Sequence, residues 1–256
     1  MATAEKTQYE GFALKYDSVE DLLCAQLEAQ LVQAALGNCT GIKILDLGGG
    51  SGLHARKAVN AGAAMVDVVD ISPAMMQIGQ DIETKLGREG IIRWHEADVS
   101  KPLNEQDISI LQPGQYDIVL ANWVFDHATS LENLKGMWHN IAVYVRPEGK
   151  FLGVRVANPR AECVQVGKYG VRFENVEQIP DGVRYQVTCL TEPPFAFEGT
   201  SMEASYTLND DIPRQLGFVD IEVLPSEDME IVKSDPEFWR MYLEDPNFVL
   251  VAARKS

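Results

Sequence analysis

The chain has 256 residues, 46% of them apolar and 23% charged, with a formal net charge of −16. That length suits one large α/β unit with a covering element, and the composition is that of an ordinary globular protein rather than a disordered or fibrous one. The acidity opposes binding to a nucleic-acid backbone or an anionic membrane leaflet, and no apolar run approaches the roughly 20 residues that span a bilayer.

The first residues, MATAEKTQYE, lack the apolar stretch of a secretory signal, so the expected location is the cytoplasm. Further on, Ser18 stands where it can cap a helix carrying Leu22, Leu23, Leu27, Leu31 and Leu36, with Gly37 as its stop. This segment, 1–40, is expected to form a helical lid outside the core. Cys24, Cys39, Cys163 and Cys189 contain no C-x-x-C pair, which argues against a disulfide framework and against a metal site.

From residue 41 to 156 short β-branched runs alternate with amphipathic stretches, the pattern of a parallel sheet covered on both faces. The strands are Lys43–Leu47, Met65–Val69, Ile91–His95, Tyr116–Ala121 and Lys150–Val156. Ser72-Pro73 opens a helix over 73–86 that Gly87 closes, and Ser130 opens one carrying Leu131, Leu134, Trp138, Ile141 and Val145. Arg146 to Gly149 then turns the chain into the fifth strand. Tyr169–Glu174, Val183–Thr188 and Phe195–Glu198 follow as short strands between Pro, Asp and Gly turns, an antiparallel insertion over 157–210. Phe218–Leu224 and Phe248–Ala253, within 211–256, complete the main sheet. The expected fold is a single α/β unit over 1–256: a Rossmann-like, doubly wound, seven-stranded and mostly parallel sheet with an N-terminal helical lid and a β insertion after the fifth strand.

Chemistry concentrates at the strand ends. The first strand runs through Ile44 to Gly52, ILDLGGGSG, into a turn where glycine permits close backbone approach to a ligand. One strand over, Val68-Val69-Asp70 places a carboxylate where it can accept from both hydroxyls of a ribose. The third strand ends in Glu96-Ala97-Asp98-Val99, where Asp98 can bond an exocyclic adenine amine and Val99 can border the ring. A nicotinamide fingerprint would require glycine at Leu53, and no tyrosine is followed four positions later by lysine as short-chain reductases need.

In these motifs the chain resembles the class I S-adenosylmethionine-dependent methyltransferases of small-molecule type. LDLGGGSG matches the family's first motif, VVDIS the second and ADVS the third; Tyr116 to Asn122 resembles the fourth-strand motif, and VRPEGKFLGV its Pro-Gly-Gly turn, with Glu148 replacing the first glycine. The resemblance implies that Asp46, Gly48 and Gly50 face the methionine portion, Asp70 the ribose, Ile71 and Met75 the adenine surroundings, and Asp98 and Val99 the adenine, with Asn122 near the amino-acid moiety. It also implies that the aromatic segment Tyr9 to Asp17 folds over the cofactor, so that Tyr16 touches the methionine end, with Tyr9 and Phe12 as weaker contacts.

A sulfonium methyl is already activated, so the protein's main task is to hold the acceptor in line with the S–CH₃ bond. Acceptor chemistry is expected in the loop after the fourth strand, with His127 as general base and Asp126 to orient it or to bind a cationic acceptor. Trp123, Phe125, Arg155 and Tyr206 are the expected acceptor-pocket residues, with Tyr169, Tyr185, Phe195, Phe197, Glu198, Met202 and Glu203 of the insertion as further wall. The function expected is methyl transfer from S-adenosylmethionine to an O, N or S atom of a small molecule, leaving S-adenosylhomocysteine. The alternative is a non-methylating member of the fold that catalyses another small-molecule reaction. The segment Asn122-Trp123-Val124-Phe125 departs from the Asn-Pro-Pro-Tyr type motif, which disfavours a protein or RNA acceptor.

Overall fold

The computed structural model describes residues 19–108 and 111–256. Seven strands form the main sheet: β1 (Lys43–Leu47), β2 (Met65–Asp70), β3 (Ile92–Glu96), β4 (Tyr116–Leu120), β5 (Val145–Val156), β9 (Phe218–Val223) and β10 (Phe248–Lys255). Their spatial order is β3-β2-β1-β4-β5-β10-β9, parallel except for β10, which runs antiparallel to both β5 and β9. The expected seven-stranded, doubly wound architecture is therefore present.

Both faces of the central strands are buried because side chains alternate between two apolar layers. Ile44, Ile118, Leu120 and Val154 point into one layer, against α1 (Leu23–Leu36) and α2 (Leu53–Asn60). Leu45, Leu47, Val119 and Phe151 point into the other, against Leu134, Trp138 and Ile141 of α4 (Leu131–Tyr144). Local signals set the helix ends as expected. Ser72 accepts from the Met75 amide at the start of α3 (Pro73–Lys85), and Ser130 accepts from Asn133 at the start of α4.

Three expectations need correction or fall outside view. The first helix does not stand apart from the core: Leu27 and Leu31 are completely buried in the same cluster as Ile44, because a helix with an apolar stripe must cover it. Ser18 lies outside the described residues, and Leu22, which precedes α1, supplies no side-chain cap. The turn expected at Arg146–Gly149 is absorbed into β5, which slips register against β4 between Tyr116 and Ile118. Glu148 adopts φ 60° there, a conformation glycine takes without strain, and its carboxylate meets Arg254 Nη1 at 2.6 Å.

The insertion is a separate antiparallel sheet of β6 (Val171–Ile179), β7 (Gly182–Cys189) and β8 (Phe195–Met202), introduced by the short helix α5 (Glu162–Val166). Between β8 and β9 lie two further short helices, α6 (Glu203–Tyr206) and α7 (Asp211–Gln215), and before β10 α8 (Glu230–Lys233) and α9 (Pro236–Glu244). Phe173, Val183 and Tyr185 place one face of the small sheet in the same apolar cluster as the core strands.

At the end of the sheet remote from the glycine turn, Asp67 is fully buried and ties three strands together. It accepts from Arg93 Nε and from His95 Nε2 at 2.7 Å each, and from the Tyr116 hydroxyl at 2.8 Å. Burial raises its carboxyl, but these bonds outweigh burial and hold it below the usual carboxylate range. Its stabilisation is therefore complete above the unfolded carboxylate pKa and is lost as pH falls through the lower folded value. Asp67→Ala leaves the half-buried Arg93 and the buried Tyr116 hydroxyl without their acceptor, and is expected to cost about 1–3 kcal/mol of unfolding free energy, measured by urea denaturation at neutral pH.

Candidate active site

The site is built where the connections of β1 and β4 diverge, the position at which open α/β sheets bind ligands. A cleft of about 640 Å³ opens there, large enough for small-molecule ligands. Its floor is the glycine turn. Gly48, Gly50 and Gly52 all take positive φ, and the Gly50 amide donates to Asp70 Oδ2 at 2.8 Å. A Cβ on Gly52 would come within 2.5 Å of the Trp94 ring, so these glycines satisfy internal packing as well as ligand approach.

Asp46, Gly48, Gly50, Asp70, Ile71 and Met75 line this cleft, as do Asp98, Val99 and Asn122. Tyr16, with Tyr9 and Phe12, lies outside the described residues. Asp70 Oδ1 accepts from the Ser72 amide at 2.8 Å, so each carboxylate oxygen holds one backbone donor and retains a lone pair for a hydroxyl. Burial raises its carboxyl, against those two backbone donors. Asp98 differs: burial raises it, but Lys101 Nζ at 2.8 Å and the Ser100 hydroxyl at 2.6 Å hold it below the usual range, charged and oriented at the rim.

Two polar atoms fit a zwitterionic ligand. Asp46 Oδ2 and Asn122 Nδ2 are buried and, among the described residues, have no hydrogen-bond partner: one accepts, the other donates. Burial pushes Asp46 up to about 6; His54 pulls it down and Asp70 pushes it up. The other Asn122 amide atom is fixed, its Oδ1 accepting from the Val154 amide at 3.0 Å.

The fourth-strand loop is a 3₁₀ turn over Val124–His127. Trp123 and His127 line the cleft. Burial pushes the His127 imidazole down to about 4, so it is neutral at physiological pH. Asp126 lines the cleft too, with its oxygens engaged: Oδ1 accepts from the Ser201 hydroxyl at 2.6 Å and Oδ2 from the Val156 amide at 3.1 Å. Tyr185 Oη lies 2.8 Å from Ser201 Oγ, so Tyr185, Ser201 and Asp126 form a chain joining the small sheet to the core. Burial pushes Asp126 up to about 6, against the Ser201 and Val156 bonds and the Arg155 charge.

Three expected acceptor residues stand away from the cleft wall. Phe125 turns to the opposite layer and stacks on Trp138, ring centroids 4.8 Å apart. Arg155 alternates with the cleft-lining Val156, so its side chain is shut inside, 2% exposed, where burial lowers its pKa to about 10. Tyr206 is half-buried outside the lining. Of the insertion residues named from sequence, Tyr185, Phe197 and Glu198 line the cleft, whereas Tyr169 stacks on Trp239 at 4.5 Å and Met202 is buried in the core. Missed were the wall residues Val171, Phe173 and Val187 and the pair Glu28 and His54. Strand alternation in the insertion, and an acid inside the apolar stripe of α1, were the available signals.

Among the described residues no group of three His, Cys, Asp or Glu is placed to hold a metal ion, and no helix is long and apolar enough to cross a membrane.

A glycine turn, a sheet of this order and carboxylates at three adjacent strand ends define a Rossmann-like α/β fold with a cleft at its glycine-turn edge. Residues 44–149 match the family model described as methyltransferase domain. A structure of an S-adenosylmethionine-dependent methyltransferase from Mesorhizobium loti superposes with TM-score 0.60 at 19% identity, covering 90% of this chain and 98% of that one. Demethylmenaquinone methyltransferase of Tropheryma whipplei is 26% identical over 162 residues, 62% of each chain. Squalestatin tetraketide synthase of Cochliobolus lunatus is 29% identical over 130 residues, 48% of this chain and 5% of the synthase. This chain thus spans less than two thirds of the length of these curated relatives. Residues 44–149 thus match a methyltransferase domain, and the likeness to the solved structure is one of fold, extending over most of this chain.

Asp70→Ala is expected to weaken S-adenosylhomocysteine binding at least tenfold, about 1.4 kcal/mol, by removing a charge-assisted acceptor; calorimetric titration reads this directly.

Proposed function

We propose that this protein transfers the methyl group of S-adenosylmethionine to an O, N or S atom of a small molecule held between the glycine-turn edge of the main sheet and the inner face of the small sheet. The observation that carries this reading is that one cleft is lined by both: Asp46, Asp70 and Asp98 on one side, and Phe173, Tyr185, Val187 and Phe197 on the other. An apolar, partly aromatic wall opposite the cofactor edge suits a compact organic acceptor. The names of the curated relatives, a menaquinone-precursor methyltransferase and a polyketide synthase, agree with such an acceptor.

The bound cofactor supplies a methyl already activated on a sulfonium. Trp123 and Phe197 bracket the acceptor, and Tyr185, fixed through Ser201 to Asp126, sets the height of the roof above the cofactor edge. His127 is neutral because of burial and takes the proton that a hydroxyl or amine acceptor must lose. Asp126 acts by holding the small sheet in place.

The test is transfer of label from methyl-labelled S-adenosylmethionine into small-molecule extracts; cofactor binding without any labelled product would count against methyl transfer. With an acceptor in hand, His127→Ala is expected to lower kcat by about 10²–10⁴ for a protonated acceptor while leaving S-adenosylhomocysteine affinity unchanged. Wild-type kcat should fall on the acid side in two stages, as Asp46 and Asp126 take up protons near pH 6 and as His127 becomes charged near pH 4.

A further inference from the structure

The helix α4 carries a glycine, Gly136, in its interior, where glycine is unfavourable and calls for a packing reason. The reason is the loop that follows β3. A Cβ built on Gly136 would collide with the Ser100 carbonyl oxygen, so helix backbone and loop backbone lie in direct contact there. One helical turn on, and so on the same face, Asn140 is 1% exposed and commits its whole amide to that loop. Its Nδ2 donates to the carbonyls of Val99 at 2.9 Å and Lys101 at 2.8 Å, and its Oδ1 accepts from the Leu103 amide at 3.1 Å. Three consecutive carbonyls, those of Val99, Ser100 and Lys101, are thus seated on one stripe of α4.

The seated residues in turn hold Asp98. The Ser100 amide and hydroxyl donate to its Oδ1 at 3.0 and 2.6 Å, and Lys101 Nζ lies 2.8 Å from its Oδ2. Gln106 holds the Asp98 backbone from inside the loop, bonding its amide and its carbonyl at 2.9 Å each. The direction of the carboxylate is therefore set at one remove, by how residues 100 and 101 sit on the helix. Asp98, Val99, Ser100 and Lys101 all line the cleft, as does Met137 of α4. An ionised carboxylate only accepts, so it matches the exocyclic amine of adenine, whereas the carbonyl oxygen that hypoxanthine carries at that position would meet it acceptor to acceptor.

We propose that Gly136 and Asn140 are positioning residues for nucleobase recognition: by seating the loop after β3 on α4 they aim the Asp98 carboxylate, and so decide how well the cleft separates an amino-purine from an oxo-purine. The proposal rests on the reading of the cleft as the S-adenosylmethionine site. Neither residue touches the ligand; each acts through Ser100, Lys101 and Asp98.

The experiment is calorimetric titration of the full chain with S-adenosylhomocysteine and with S-inosylhomocysteine, which differs only in having a carbonyl oxygen in place of the purine amine. The wild-type chain is expected to prefer the adenosyl ligand about tenfold or more, the size of a matched against a mismatched polar contact. Asn140→Ala frees the Val99 and Lys101 carbonyls and should bring the two affinities to within about threefold, chiefly by weakening S-adenosylhomocysteine. Gly136→Ala favours the helix itself and acts by pushing Ser100 away, so it is expected to reduce the preference too, and it keeps the test if Asn140→Ala fails to fold. The ratio of affinities is the deciding readout, because a general loosening of the fold weakens both ligands alike. An unchanged ratio in the folded variants, or an equal loss for both ligands, overturns the positioning role. Equal wild-type affinities overturn it as well, while a wild-type chain that binds neither ligand removes the cofactor reading and this proposal with it.

Discussion

The site depends on a short backbone contact: the Gly50 amide, presented by a chain in the left-handed region, donates to Asp70 on the neighbouring strand at 2.8 Å. Two residues earlier, the Gly48 amide donates to the Val69 carbonyl at 2.7 Å. Together these bonds stitch the loop after β1 to the end of β2. Asp70 then does two things with one carboxylate. It satisfies loop amides that would otherwise be orphaned, and it keeps lone pairs for a ligand. Packing reinforces the arrangement, since Trp94 of β3 occupies the space against Gly52 and Gly79 that any side chain there would need.

The acceptor half of the cleft rests on a different join. The small sheet is inserted far from the glycine turn in sequence, and its position over the core is set by the hydrogen-bonded chain from Tyr185 through Ser201 to Asp126 and on to Val156 of β5. All four residues are buried, where the low local dielectric makes a fully satisfied chain strong and a broken one costly. The loop bearing His127 and the wall bearing Tyr185 and Phe197 are consequently held in one frame. Asp126, expected from sequence to orient His127 or to bind a cationic acceptor, has its oxygens engaged by Ser201 and the Val156 amide, which couples the two halves of the cleft.

Much of the glycine-turn edge is legible in the sequence. Asp46, Asp70 and Asp98 are local signals: each ends or follows a β-branched run, and the glycines beside the first identify the turn. The caps Ser72 and Ser130 were equally readable, because a cap bonds residues only three positions away. The acceptor side was less legible. Phe125, Arg155 and Tyr206 were assigned to the wall by residue type, yet facing is decided by strand alternation and by how a 3₁₀ turn rotates successive side chains. Glu28 and His54 were missed because 26 positions separate them, and neither is unusual alone.

What the sequence determined by itself was the class of fold, the order of its strands and helices along the chain, and the three acidic positions at the glycine-turn edge, since hydrophobic period, caps and turn residues are interactions between near neighbours. Only the tertiary structure decided that α1 seals the core and brings a carboxylate to His54, that Asp67 ties three strands at the far end, and that one face of the small sheet closes the cleft. Those outcomes are pairings between distant segments, and their energies come from burial and from the partners that burial obliges polar groups to find.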